Sequence, residues 1–219
     1  MTDLRQDGMP ESRVVRRQQQ TRTKLIDAIR KLTAEKGVEA VTIRDIAAEA
    51  DIAMGSFYNY FESKELLLNE ALEEIMFQAG DAIDLLNQES DDPLEVIATA
   101  FATFSELSKH DPLLGWFVVR MTSYDRSIGA TLAERFERDL KKGLASGQFD
   151  VPDLRIAMSA AQTALIDFLH QQLSGAVSEN GLIDFIHLML RMLGADEAAS
   201  RRTAERAVTA ARQRAEEED

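Results

Sequence analysis

An all-α fold follows from three features of this 219-residue chain. Ala, Leu, Glu and Arg are abundant and only four prolines interrupt them, a composition that favours long helices. Apolar residues recur at spacings of three and four, the period of one helix face. No stretch alternates Val, Ile, Thr and aromatic residues as a half-buried strand does. With 45% apolar residues the chain can bury a sizeable core in one large or two modest domains, which excludes disorder throughout.

The elements are read in order. Residues 1–18 are expected to form a flexible basic arm, and a first helix spans Gln19 to Glu35, with Leu25, Ile29 and Leu32 on one face and Gly37 ending it. Thr42 caps the next helix, whose Ile43, Ile46, Ala47 and Ala50 face inward while Arg44, Asp45 and Glu49 face solvent. Asp51 favours a turn, and another helix restarts from about Ala53 and runs to near Ser63 on the anchors Phe57 and Phe61. Ser63 caps a long helix carrying Leu66, Leu67, Ala71, Ile75 and Ala79 toward Leu85, which joins two domains. After a break from Glu89 to Pro93, helices fall at about 93–109, 112–122, 126–146, 153–173, 179–193 and 197–215. The resulting division is an arm at 1–18, a helix pair domain at 19–66, a larger domain at 67–195, and a weakly amphipathic, charged 196–219 that is either a peripheral helix or a disordered tail.

Around Phe57 and Phe61 the outer surface carries Met54, Gly55, Ser56, Tyr58, Asn59 and Tyr60, small, polar and amphipathic groups that suit a helix entering a major groove about 12 Å wide. The alternative is an ordinary helix pair with Tyr58, Phe61 and the isoleucines as core. The segment resembles the TetR family of one-component regulators: Thr42 opening a helix, Ile46 with Ala47 and Ala50, then Gly55, Tyr58, Tyr60 and Phe61, and Lys64 opening the following helix. The likeness covers roughly residues 20–68 in detail. Beyond that only length and helical character agree. Ala53 departs from the family's usual capping serine, a loss of about 1 kcal/mol locally.

The resemblance implies a helix-turn-helix DNA-binding domain followed by a helical effector-binding and dimerisation domain. It also implies a homodimer that presents two recognition helices to a roughly palindromic double-stranded operator, and repression rather than activation. By their chemistry, Thr42, Tyr58, Tyr60 and Lys64 are expected at phosphates, and Arg44, Met54, Ser56, Phe57 and Asn59 near base edges, unless Phe57 is core. The rival is a helical adaptor without sequence-specific DNA binding, which an operator-binding assay separates.

A net charge of −13 opposes binding to a polyanion, but its distribution weakens the objection. Residues 1–66 hold 11 basic and 11 acidic residues, so residues 67–219 carry the whole excess. Arg13, Arg16, Arg17, Arg22, Lys24, Arg30 and Lys31 form a basic run offset only by Asp27, which reads as a phosphate-reaching arm or as a solvated face.

The absence of cysteine excludes disulfides, thiolate metal sites and a cysteine nucleophile. His110, His170 and His187 lack metal-binding spacing, so neither metal nor cofactor is expected. Without a signal core or an apolar run of 18 residues, the expectation is a cytoplasmic protein outside the membrane. Asp125, Asp139, Asp150, Asp153, Asp167 and Asp184 isolate no carboxylate pair, and no catalytic motif accompanies them. An enzyme is not expected.

In the larger domain Phe77, Phe101, Phe104, Trp116, Phe117, Met121, Tyr124, Met158 and Phe168 can either wall an apolar cavity or fill a core. Gln162, Asp167, His170 and Tyr124 are candidate polar anchors. The effector set is taken as Phe104, Trp116, Phe117, Met121, Tyr124, Gln162, Phe168 and His170, for a small apolar or aromatic molecule. Two stripes, Ala157, Ala160, Ala161 and Ala164 with Leu165, Phe168 and Leu169, and Ile183, Ile186, Leu190 and Leu193, suit either a four-helix dimer interface or an internal core.

Overall fold

The computed structural model describes residues 13–87, 90–124, 130–178 and 180–217 and, within these, all side chains but those of 13–14, 123–124 and 130–132. Among the described residues ten helices follow one another without a strand: α1 Arg13–Lys36, α2 Ile43–Glu49, α3 Met54–Phe57, α4 Lys64–Leu86, α5 Pro93–His110, α6 Pro112–Tyr124, α7 Ala130–Ser146, α8 Leu154–Leu173, α9 Gly181–Met192 and α10 Glu197–Glu217.

The amino-terminal helix starts six residues before the expected Gln19, so residues 13–18 of the supposed flexible arm are helical. The segment RVVRRQQQTR has no Gly or Pro, and Arg and Gln are good helix formers, so nothing stops the helix from extending backward. Residues 1–12 lie outside the described part. At the other end Gly37 (φ +84°) donates its N–H to the Thr33 carbonyl at 2.9 Å and closes α1 as expected.

Thr42 caps α2, and Asp45 answers it. The Asp45 N–H donates to Thr42 Oγ1 at 3.2 Å, while the Thr42 hydroxyl and N–H donate to the Asp45 carboxylate at 2.8 and 3.1 Å. Asp45 is therefore a capping partner rather than a bystander. The turn at Asp51 takes a positive φ of 55°, which a short polar side chain tolerates. The next helix is shorter than the expected run to Ser63. After Phe57 the chain tightens, with Asn59 N–H on the Ser56 carbonyl at 3.2 Å and Tyr60 N–H on the Phe57 carbonyl at 2.9 Å. Ala53 supplies no side-chain cap.

Two apolar clusters form. The first joins α1 to α4 through Leu25, Ile29, Ile46, Phe57, Phe61, Leu67, Leu72 and Ile75, and takes in Phe117 and Met121 from α6. The second gathers α5 and α7 to α10 around Leu140, Phe168, Ile186 and Leu190. Segment 196–219 is neither peripheral nor disordered over its described length. In α10, Ser200, Thr203, Ala204, Ala207, Val208 and Ala211 are buried, and the helix packs on α5 and α9. Its small side chains give a weak apolar stripe in sequence yet allow a close helix approach, and the Arg212 guanidinium donates to the buried Glu106 at 3.1 Å. The lead-in needs Gly194: at φ +94°, a Cβ there would lie 2.6 Å from the backbone nitrogen of Asp150.

Candidate functional site

The surface around α2 and α3 keeps most of the expected side chains outward. Arg44 and Asn59 are exposed, Met54 and Tyr58 are 50% and 55% exposed, and Ser56 and Tyr60 are half-buried. Phe57 is the correction. It is 0% exposed, at 6.2 Å from Phe61 between ring centroids, and so belongs to the core and not to a base-reading edge. Two expected phosphate contacts also have internal duties. The Thr42 hydroxyl proton is directed to Asp45, and Lys64 Nζ donates to the carbonyls of Val38 and Val41 at 2.9 Å each, leaving one of its three donors. The Thr42 hydroxyl and, next, its N–H hold the Asp45 carboxyl below the usual carboxylate range.

A cavity of about 770 Å³ opens among α4, α5, α6, α7 and α8, within the size range of small-molecule sites. Phe101, Phe104, Phe136, Val118, Ile97 and Leu169 give it apolar walls, while Gln162 and His170 are exposed on α8 at its edge. Thus Phe104, Gln162 and His170 of the expected effector set do line it. Phe117 and Met121 do not. Both are fully buried in the first apolar cluster, because their positions on α6 face α1 and α4. Phe168 stacks on Phe185 at 4.3 Å inside the second cluster. Trp116 stands one layer away, edge-on to His170 at 5.4 Å. Tyr124 closes α6, and its side chain lies outside the described ones.

One side of the cavity carries four charged groups that the sequence pattern did not single out as a site. Arg138 donates through Nε and a terminal nitrogen to both oxygens of Asp139, at 2.9 and 3.0 Å, and Asp139 is 5% exposed. Arg135 donates to Asp84 of α4 at 2.8 Å. The available signal was the spacing of Arg135, Arg138 and Asp139, which share a helix side with Phe136; Asp84 is distant in sequence and gave none.

Comparison with known proteins decides the family. The family model described as "Bacterial regulatory proteins, tetR family" matches residues 25–71, and the one described as "Tetracyclin repressor-like, C-terminal domain" matches residues 92–206. The chain belongs to the TetR family. This TetR-family regulator is 31% identical to the transcriptional regulator BetI of Cronobacter sakazakii, over 71% of this chain and 92% of BetI. It is 29% identical to the transcriptional repressor DhaR of Mycobacterium sp. strain GP1, over 71% of this chain and 80% of DhaR. Among solved structures, RolR in complex with the ligand resorcinol shares 34% identity at a TM-score of 0.69, covering 88% of this chain and 96% of RolR. The relatives are regulators and not enzymes, and the TetR chain is a DNA-binding transcriptional regulator. Among the described residues no helix is long and apolar enough to cross a membrane.

The two stripes expected at a subunit interface divide. Ala157, Ala161, Phe168, Leu169, Ile186, Leu190 and Leu193 are buried within the chain, whereas Ala160, Ala164, Leu165 and Ile183 are half-buried. Sequence periodicity identified apolar positions on α8 and α9 without separating the face turned to the chain's own core. The outward apolar residues of these helices are Ile156, Leu188 and Met192.

Proposed function

We propose that the protein is a homodimeric repressor that binds a roughly palindromic operator and is released by a hydroxylated aromatic molecule in the cavity. The observation that carries this reading is the buried Asp139 carboxylate, held by the exposed Arg138 and set among phenylalanines. A carboxylate ligand on this side of the cavity would meet the buried anion of Asp139. Like charges held that close repel, and Asp139 is too deeply buried for water to screen them well. A neutral hydroxyl meets no such cost, since it donates to a lone pair that Asp139 still has and leaves the ion pair intact. Resorcinol in RolR, a 34% identical relative, supports the same class.

Release follows from the placement of α4. Its Met76, Ile83 and Asp84 line the cavity, and its first residue, Lys64, holds the turn that precedes α2. A ligand that favours one position of α4 therefore biases the reading surface. Dimerisation through α8 and α9 is supported by the exposed Ile156, Leu188 and Met192, which a second copy would cover. Sedimentation tests that part: Leu188→Glu is expected to shift dimer to monomer. Selection of bound sequences from random DNA tests the operator. Enrichment of a two-fold symmetric site is expected, and failure of the folded, ligand-free protein to enrich any sequence overturns the proposal.

A further inference from the structure

Arg22 stands in the basic run of the first helix, where charge alone assigns it to DNA phosphates. Its surroundings assign it otherwise. The guanidinium donates to both oxygens of Glu70 on α4, through Nε at 2.6 Å and through a terminal nitrogen to the other oxygen. It lies 4.5 Å from the ring centroid of Phe61 and donates to the backbone carbonyl of Tyr60 at 3.4 Å. One planar group thus touches three things at once: the connecting helix, the aromatic anchor that ends the reading turn, and the backbone between Tyr58 and Phe61. Such a fork fixes orientation as well as charge.

We infer that Arg22 is a positioning residue for DNA recognition, setting the angle of the α3 turn against α1 and α4 without itself neutralising a phosphate. The turn needs such a brace, because α3 is four residues long and its Ala53 start has no side-chain cap. Tyr58 and Asn59 project from the segment that Arg22 holds. A small rotation there moves both relative to a base edge.

The slope of operator affinity against salt separates the two roles, because each neutralised phosphate adds about 0.9 to its magnitude. Arg22→Met keeps the apolar stem and removes the cation. The inference expects operator affinity to fall about tenfold or more with the slope unchanged, whereas loss of a cation that neutralises a phosphate lowers the slope by about 1. Glu70→Gln sharpens the contrast, since removing an anion near DNA strengthens binding electrostatically but loosens the fork. Weaker operator binding with nonspecific affinity kept or raised is expected. Arg22→Lys keeps the charge and loses the fork, so it should resemble Arg22→Met, and it serves if Arg22→Met does not fold. A lower slope in Arg22→Met, tighter operator binding in Glu70→Gln, or full operator affinity in Arg22→Lys each overturns the inference. The DNA-binding role itself is untouched by those outcomes, because the wild type binds the operator in every arm.

Discussion

In the amino-terminal unit the polar groups near the core are tied to one another: Thr42 to Asp45, Lys64 to Val38 and Val41, Arg22 to Glu70, and Lys31 to Glu49 at 2.7 Å. The larger domain differs. Buried oxygens of Thr103, Ser105, Ser108 and Gln172, and one oxygen of Glu106, make no hydrogen bond, against Thr33 alone among the described residues up to 66. Each such atom costs about 1–3 kcal/mol when left unpaired. The first unit is thus held to one geometry, while the domain that contains the cavity carries unused hydrogen-bonding capacity, at residues outside the cavity lining. A tightly paired reader coupled to a less fully satisfied receiver is a workable division for a regulator, because local opening costs least where fewer polar groups are paired.

The strongest way to break the comparison is Phe57→Ala. Truncating this fully buried ring should cost about 3–5 kcal/mol, read as a lower unfolding free energy, together with loss of operator binding. A cost under about 1 kcal/mol with selective loss of sequence discrimination would return Phe57 to the base edge. Next is Asp139→Asn in the receiver. Resorcinol affinity, measured by calorimetry, should fall roughly 10-fold to 100-fold, as expected for losing a charged hydrogen-bond acceptor, while ligand-free operator affinity holds. Unchanged resorcinol affinity would remove Asp139 from the site.

A smaller effect tests the caps. Thr42→Val should destabilise by about 1 kcal/mol at neutral pH. The sign of its pH dependence follows from Asp45, whose folded pKa is depressed by Thr42. That contribution is fully present above the ordinary carboxylate range and is lost as pH falls through the lowered value. The gap in thermal midpoint between wild type and Thr42→Val should therefore narrow on acidification below about pH 4; a widening gap would contradict it. The smallest effect is a gain. Ala53→Ser restores a cap to α3 and should stabilise by about 0.5–1 kcal/mol, seen in the denaturant midpoint.

Local signals explain what was legible. The caps at Thr42 and Ser63, the turn at Asp51 and the closing Gly37 act within four residues, and the structure has each where the sequence put it. The reading turn was overextended because Tyr58 to Phe61 keep helical spacing while the bonds of Asn59 and Tyr60 tighten to three residues. The cavity was only partly legible. Phe104 and Phe117 look alike in sequence and both join the first apolar cluster, and only tertiary packing decides that Phe104 also reaches the cavity while Phe117 does not. The Arg22–Glu70 tie spans 48 residues, and the Arg135–Asp84 tie spans 51, so neither leaves a local trace. α10 escaped for a different reason: helices that pack through alanine carry little apolar contrast.

The central claim is that filling the cavity changes what the reader does to DNA. The direct measurement is operator affinity of the wild-type protein, on a sequence recovered by selection, across a resorcinol titration carried to saturation as judged by calorimetry. The account predicts a fall in operator affinity of about 5-fold to 150-fold, the range of a 1–3 kcal/mol coupling, and the same factor in resorcinol affinity when operator is bound first. Operator affinity that stays constant while the cavity is shown to be full would contradict it.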